Sequence, residues 1–235
     1  MEQEGLSARE ACDAVLRENL HGLEIDERCT QIAAFAVALA AWKYQGAGGY
    51  RELPELSIAC SGIPMASRES DWLNLVPDEV RLKEGMSCLY TIFQDSPSLG
   101  SLIDTRSLQG NVLGAGIDEL QEPLINALSK TERFDAADAD EQGVVVRGMA
   151  KAAELLSESY TLISTNVPFL GLERQNPLLA QYLKEYYPKA KRDLAICFLM
   201  RAFDFAAQGG TVALVLPSEW TYLRPYRRFR KQLLS

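Results

Sequence analysis

The sequence has a single histidine, no paired cysteines and no apolar run of bilayer length. His21 stands at the start of a predicted strand, without a serine or cysteine arranged as its partner, which speaks against a hydrolase triad. The cysteines (Cys12, Cys29, Cys60, Cys88 and Cys197) are scattered, odd in number and never spaced as CxxC. That spacing argues against a zinc site or a disulfide framework and points to a reducing cytoplasm. A transmembrane helix needs about 20 apolar residues. The nearest candidate, Ile32 to Trp42, is too short and has polar flanks. Glu2, Gln3 and Glu4 stand where a signal peptide would carry a basic and then an apolar segment, so no leader is expected.

Positive charge is also scarce. Lys and Arg number 24 against 32 Asp and Glu, a net charge of −8. Phosphate binding is driven by Lys and Arg, so any contact with nucleic acid must be local. One basic cluster exists: Arg224, Arg227, Arg228, Arg230 and Lys231. It reads equally as a solvated helix face or as a phosphate contact. What remains is ordinary for a globular protein: 235 residues, 47% hydrophobic and 24% charged, enough for a sizeable core.

Along the chain, Ser7 with Glu10 three residues later forms a capping box that opens a helix to about Asn19. His21 to Asp26 reads as a short strand. A helix from about Arg28 to Tyr44 is so rich in Ala, Ile, Val and Leu that most of its surface should be buried. Gly46 to Gly49 is a loop, and Leu56 to Cys60 is a second strand. From Pro64 to Ser159 helical periodicity dominates, over Val80 to Phe93, Ile117 to Leu128 and Val144 to Leu156. Ser96-Pro97-Ser98 and Asp135 to Gly143 read as linkers. Beyond it come a strand at Tyr160 to Ser164, a loop to Pro177, and helices at Leu178 to Tyr187 and Arg192 to Ala207. Gly209-Gly210 is the expected C-cap of the second helix. A strand at Thr211 to Leu216 and a helix at Pro225 to Leu234 follow. Alternating elements with strands apolar throughout predict a parallel sheet covered on both faces.

Ligands of open α/β sheets bind where strands end, and three such ends carry candidate chemistry. Glu24, at the tip of the first strand, can accept ribose hydroxyls, the alternative being a helix N-cap, a role that suits Asp26 better. Ser61, after the second strand, could meet the rim of a purine or form a plain turn. The third end is Leu162-Ile163-Ser164-Thr165-Asn166-Val167-Pro168-Phe169, where an apolar strand delivers an Asn, a carbonyl, a Pro and an aromatic into one loop. The exocyclic amine of a base is a poor nucleophile because its lone pair is delocalised into the ring. Two acceptors aimed at its hydrogens, the Asn166 amide oxygen and the Val167 carbonyl, favour a pyramidal nitrogen and offset its developing positive charge. Phe169 is spaced to stack on a flipped base. Gly46-Ala47-Gly48-Gly49 and Gly110 to Gly116 lack the strand and the Gly-Lys-Ser/Thr ending of phosphate loops. Asp135, Asp138, Asp140 and Glu141 lack the spacing of a calcium loop.

The segment Asn166-Val167-Pro168-Phe169 resembles the NPPY/F motif of amino-methylating class I methyltransferases. Its surroundings resemble the large adenine-specific enzymes of type IIG restriction systems and of BREX- or DISARM-like phage defence. The likeness continues through Gly171, Tyr186-Tyr187-Pro188, Lys191-Arg192-Asp193-Leu194, Gly209-Gly210 and Pro217-Ser218-Glu219-Trp220. Asn19 to Asp26 is similar to the family's second cofactor motif. The resemblance implies a Rossmann-like class I methyltransferase core, that is, an α/β fold with a partial parallel sheet and a mostly helical insertion. The core parts would be residues 1–63 and 160–235, and the insertion 64–159. It further implies that Glu24 holds the ribose of S-adenosyl-L-methionine and that Ile25 packs on its adenine. Ser61 would lie near that adenine, where relatives often carry Asp or Asn. The partner would be double-stranded DNA with a flipped adenine, with no metal required. Three departures stand out: Val167 replaces the first proline of NPPY, Ser61 replaces the usual Asp or Asn, and the family's glycine-rich DPxxGxGxF-type loop is missing from these residues. The chain therefore reads as a fragment of an adenine-N6 methyltransferase. The alternatives are a non-catalytic DNA-binding or assembly subunit of a defence complex and a methyltransferase acting on RNA or on protein glutamine.

Overall fold

The computed structural model describes residues 5–64, 68–74, 76–105 and 136–234. The chain divides into two compact units, Met1–Ser157 and Glu158–Ser235. Each is a mixture of helices and one small parallel sheet.

In the first unit, α1 (Ala8–Glu18) begins at the expected capping box. The Glu10 amide donates to Ser7 Oγ at 3.3 Å, and the Glu10 carboxylate accepts from the Ser7 amide at 2.9 Å. The hydrogen bond from the Ser7 hydroxyl is the main force holding the Glu10 carboxyl below its usual range. Strand β1 (His21–Glu24) pairs in parallel with β2 (Ser57–Cys60), in a register that sets His21 opposite Ser57 and Glu24 opposite Cys60. Between them runs α2 (Glu27–Lys43). Here the expectation of burial fails: Ala41 is its one buried residue, and Ile32 and Phe35 are 66% and 62% exposed. A helix apolar on every side keeps an open face unless it is packed all round, and the described residues leave one face of α2 open. Side chains of α1 and α2, among them Ala11, Val15, Leu16, Val37 and Tyr44, line an apolar groove of about 300 Å³.

The helical stretch that follows holds α3 (Glu69–Leu73), α4 (Val80–Phe93), α5 (Ser96–Leu99), a 3-10 turn (Gly100–Leu102) and α6 (Ala136–Ser157). The bounds of α4 match those expected from periodicity. Ser96-Pro97-Ser98 is not a linker, because Pro97 opens α5 as a first-turn proline. Residues 136–143 are helical too: α6 starts at Ala136, and this stretch of Ala, Gln and acids carries no helix breaker before Gly143. The helix expected at Ile117 to Leu128, the glycines 110–116 and Asp135 lie outside the described residues. Met86, Phe93, Leu102, Met149, Leu155 and Leu156 form the fully buried centre of this unit. Truncating any of these leucines to Ala should cost about 2–5 kcal/mol.

In the second unit, β3 (Tyr160–Asn166) runs parallel to β4 (Ala206–Val215). Between them lie α7 (Pro177–Tyr186), capped by Asn176, and α8 (Leu194–Phe205), capped by Asp193. Three further pieces follow: α9 (Glu219–Tyr222), a 3-10 turn (Arg224–Tyr226) and α10 (Arg227–Leu233). Gly209-Gly210 is not a helix C-cap. Helix α8 ends at Phe205, Ala206 is already extended, and the glycines sit inside β4. The register shifts there, from Tyr160 opposite Ala206 to Leu162 opposite Thr211, so β4 bulges. Gly209 takes φ +78°, and a Cβ on Gly210 would lie 2.9 Å from the Ala207 carbonyl oxygen and 3.0 Å from that of Tyr160. The sheet is parallel as expected, but it is not covered on both faces among the described residues: Leu162 and Val215 are 63% and 61% exposed. Arg201 is the fully buried charged side chain of this unit. Its guanidinium lies 4.1 Å over the Phe205 ring, a cation–π contact worth about 2 kcal/mol when desolvated.

Candidate functional site

The two parallel pairs place their candidate residues at the C-terminal tips of β1, β2 and β3. In the first unit the tips of β1 and β2 lie side by side, which brings Glu24, Ile25 and Ser61 together. Glu24 Oε1 accepts from the backbone amides of Ile25 at 2.8 Å and Asp26 at 3.2 Å. These bonds fold the carboxylate over its own loop. Asp26 takes the N-cap of α2, its Oδ1 accepting from the Arg28 amide at 2.8 Å and the Cys29 amide at 3.1 Å. Glu24 is thereby free of the capping role.

Ser61 is buried, and both its donors turn to one acceptor. Its amide donates to the Glu24 carbonyl at 2.7 Å and its hydroxyl at 3.2 Å. The side chain acts as a strut under Glu24, its hydroxyl hydrogen directed to that carbonyl. Ile25 stays 44% exposed at the tip.

Two glycines that sequence reading did not single out as site residues hold Ile25. A Cβ on Gly62 would fall 2.1 Å from the Ile25 carbonyl oxygen, so no other residue fits without moving the backbone. Gly100 has φ +51°, and a Cβ there would lie 3.0 Å from Ile25 Cδ1. Ser96, fully buried, donates its hydroxyl to the Ile63 carbonyl at 2.7 Å and fastens this part of the helical stretch to the chain after β2. The dipeptide Ser61-Gly62 closing a strand was the available signal for the first glycine. Gly100 carried none, because only the fold brings it to Ile25.

In the second unit β3 extends two residues beyond its expected end, to Asn166 opposite Val215. Asn166, Pro168 and Phe169 are exposed, with Phe169 at 53%, and Val167 is buried at 4%. Among the described residues nothing hydrogen-bonds the Asn166 side chain. Val167 therefore anchors the loop while its neighbours on both sides face outward. Beyond Phe169 the backbone is stitched to the start of α8: the Leu194 amide donates to the Leu170 carbonyl at 3.0 Å and the Leu172 amide to that of Arg192 at 2.9 Å. Gly171 and Asp193 form the antiparallel bridge between them. Asp193 Oδ1 accepts from the Ala195 amide at 2.8 Å, so one residue both caps α8 and abuts the loop.

The basic cluster divides. Arg224, Arg227, Arg228 and Lys231 are exposed. Arg230 instead donates from Nη1 to the carbonyls of Trp220 at 2.7 Å and Leu223 at 2.8 Å, an internal brace. Among the described residues no group of three or more His, Cys, Asp or Glu is placed to hold a metal ion, and no helix is long and apolar enough to cross a membrane.

Helices with small parallel sheets, whose strand ends carry the candidate residues, make this a mixed α/β protein. The chain belongs to the Eco57I restriction-modification methylase family, whose model matches residues 18–235. It is similar to the adenine-specific methyltransferase PglX of Lacticaseibacillus casei (strain Zhang), with 26% identity over 242 residues, covering 100% of this chain and 19% of that protein. It is also similar to the adenine-specific methyltransferase BrxX of Escherichia coli O9:H4 (strain HS), with 25% identity over 251 residues, covering 100% of this chain and 20% of that protein. The chain thus spans about a fifth of the length of these curated relatives.

Proposed function

We propose that the chain carries the ribose-binding and base-binding parts of an S-adenosyl-L-methionine-dependent DNA adenine-N6 methyltransferase, within a Rossmann-like core and as part of a longer defence or restriction protein. The observation that carries this reading is the Asn166–Phe169 loop, with an outward amide and ring on a buried Val167 anchor. The residues at the β1 tip fit the nucleoside end of the cofactor. Glu24 commits one oxygen to its own loop and keeps the other for hydroxyl donors, and Ile25 offers an exposed apolar surface. The cofactor supplies a methyl group on a sulfonium. Held by Glu24 and Ile25, it would supply that methyl to adenine N6, with the thioether as leaving group and the amine proton passing to solvent. Asn166 Oδ1 and the Val167 carbonyl accept the amine hydrogens and orient its lone pair, and Phe169 stacks on the base. Residues 64–159 serve as an insertion, and Arg224, Arg227, Arg228 and Lys231 meet phosphates.

The test measures tritiated methyl transfer to double-stranded DNA by the complete protein. Digestion of the product should yield N6-methyladenine. Methyl appearing on RNA or on protein glutamine would replace the substrate. Cofactor and DNA binding without any transfer would favour the non-catalytic subunit, with the motif altered at Val167.

A further inference from the structure

We propose that Gln175 is a positioning residue for the Asn166–Phe169 loop, clamping the loop's downstream end to the chain entering α8; this rests on the methyltransferase reading above. Gln175 Nε2 donates to two backbone carbonyls at once, Leu170 at 3.3 Å and Lys191 at 3.3 Å. Leu170 directly follows Phe169, and Lys191 lies two residues before the Asp193 cap. The side chain thus spans the seam that the Leu194–Leu170 and Leu172–Arg192 backbone bonds close. A neutral amide suits this place because two acceptors need two donors from one short, uncharged group. The opposite amide orientation would set Oε1 against both carbonyls, so the network decides the assignment.

The other end of the amide supports a purpose beyond packing. Gln175 Oε1 is buried and has no donor among the described residues. An apolar side chain of similar length would leave no such orphaned acceptor, so what the amide adds at this place is its two N–H bonds. Upstream, the loop is pinned by buried Val167, and downstream by Gln175; Pro168 and Phe169 project between the two pins. Catalytic groups displaced by about 1 Å can lose on the order of a hundredfold in rate, so the second pin bears on the chemistry.

The experiment uses the complete protein and compares Gln175→Met, which keeps the length and removes both donors, with Gln175→Glu, which sets a carboxylate against the carbonyls. In Gln175→Met we expect kcat for DNA methylation to fall about tenfold with the KM for S-adenosyl-L-methionine unchanged. The fluorescence of 2-aminopurine at the target position should change with it, since the ring that receives the base has shifted. Gln175→Glu should be slower still at neutral pH and recover towards acid, where a protonated carboxyl donates one hydrogen bond. Amide hydrogen exchange at Leu172 and Leu194 should quicken in both variants. If Gln175→Met does not fold, the pH profile of Gln175→Glu carries the test. A kcat within twofold of the parent and a flat pH profile difference, in a parent that methylates adenine, overturn the clamp alone. A parent that transfers no methyl, or is indifferent to Asn166→Ala, overturns the functional reading and the clamp with it.

Discussion

The tip of β1 and the tip of β3 solve opposite problems. At β1 the acid is held by its surroundings: Glu24 accepts two amides of its own loop, Ser61 braces its carbonyl twice, and Gly62 and Gly100 confine Ile25. At β3 the restraint lies beside the exposed side chains. Val167 is buried and residues 170–172 are stitched to the start of α8, while the Asn166 amide and the Phe169 ring face outward. A group that holds a ligand through many turnovers gains from being fixed in advance. A group that polarises a developing charge needs acceptors not already occupied. On the proposed reading one tip serves grip and the other transfer, and substitutions should separate them.

The largest expected effect is at β3. In the complete protein, Asn166→Ala should lower kcat by about 10²–10³, the usual loss of one preorganised polar partner. Cofactor affinity by calorimetry should barely move. Full activity in this variant would break the comparison at its stronger end. At β1 the pattern should invert: Glu24→Ala should weaken the cofactor by about 1.5–3 kcal/mol, the range for hydrogen bonds to a charged group. Once the variant is saturated with cofactor, kcat should return near that of the parent. Unchanged affinity would leave Glu24 as a loop brace for the Ile25 and Asp26 amides and nothing more.

Much of this was legible from residues because it is local. The Ser7–Glu10 box, the Asp26 cap, the bounds of α4 and the parallel strands all follow from short-range chemistry. The misses have a common physical origin in long-range contact. Gly209-Gly210 carries the composition of a helix stop, yet it serves a bulge whose need arises from Tyr160 across the sheet. The Ala-rich α2 promises burial, and only the packed structure reveals the open face at Ile32 and Phe35. Gly100 and Gln175 have no signature at all within their own segments.

Val167 sharpens the comparison further, since on the proposed reading it takes the place of the first proline of an NPPY/F motif. Its side chain is buried, so it contributes packing as well as a carbonyl. Val167→Pro should retain methyl transfer within about tenfold, roughly 1.4 kcal/mol of barrier. Loss of all transfer in a folded variant would mean that the loop depends on the valine methyls for its position, and that β3 is as tightly built as β1.

The smallest effect probes the β1 tip in the chain itself, with no cofactor present. Cys29 sits in the first turn of α2, and its thiol is raised above the ordinary range. Local desolvation is the first cause, followed by the charges of Asp26 and Glu24. Anionic neighbours disfavour the thiolate, and alkylation below the thiol pKa tracks the thiolate fraction. Asp26→Asn keeps an N-cap acceptor and removes a charge. Glu24→Gln likewise keeps an acceptor for the Ile25 and Asp26 amides. Both should speed iodoacetamide labelling of Cys29 at pH 8 and low salt, by about twofold for Glu24→Gln and somewhat more for Asp26→Asn. Peptide mapping separates Cys29 from Cys60 and Cys197, which are buried. Salt at about 1 M shortens the screening length to about 3 Å and should erase the difference. Equal labelling of Glu24→Gln and the parent at low salt would show that the carboxylate is turned away from the start of α2, against the geometry its amide bonds impose.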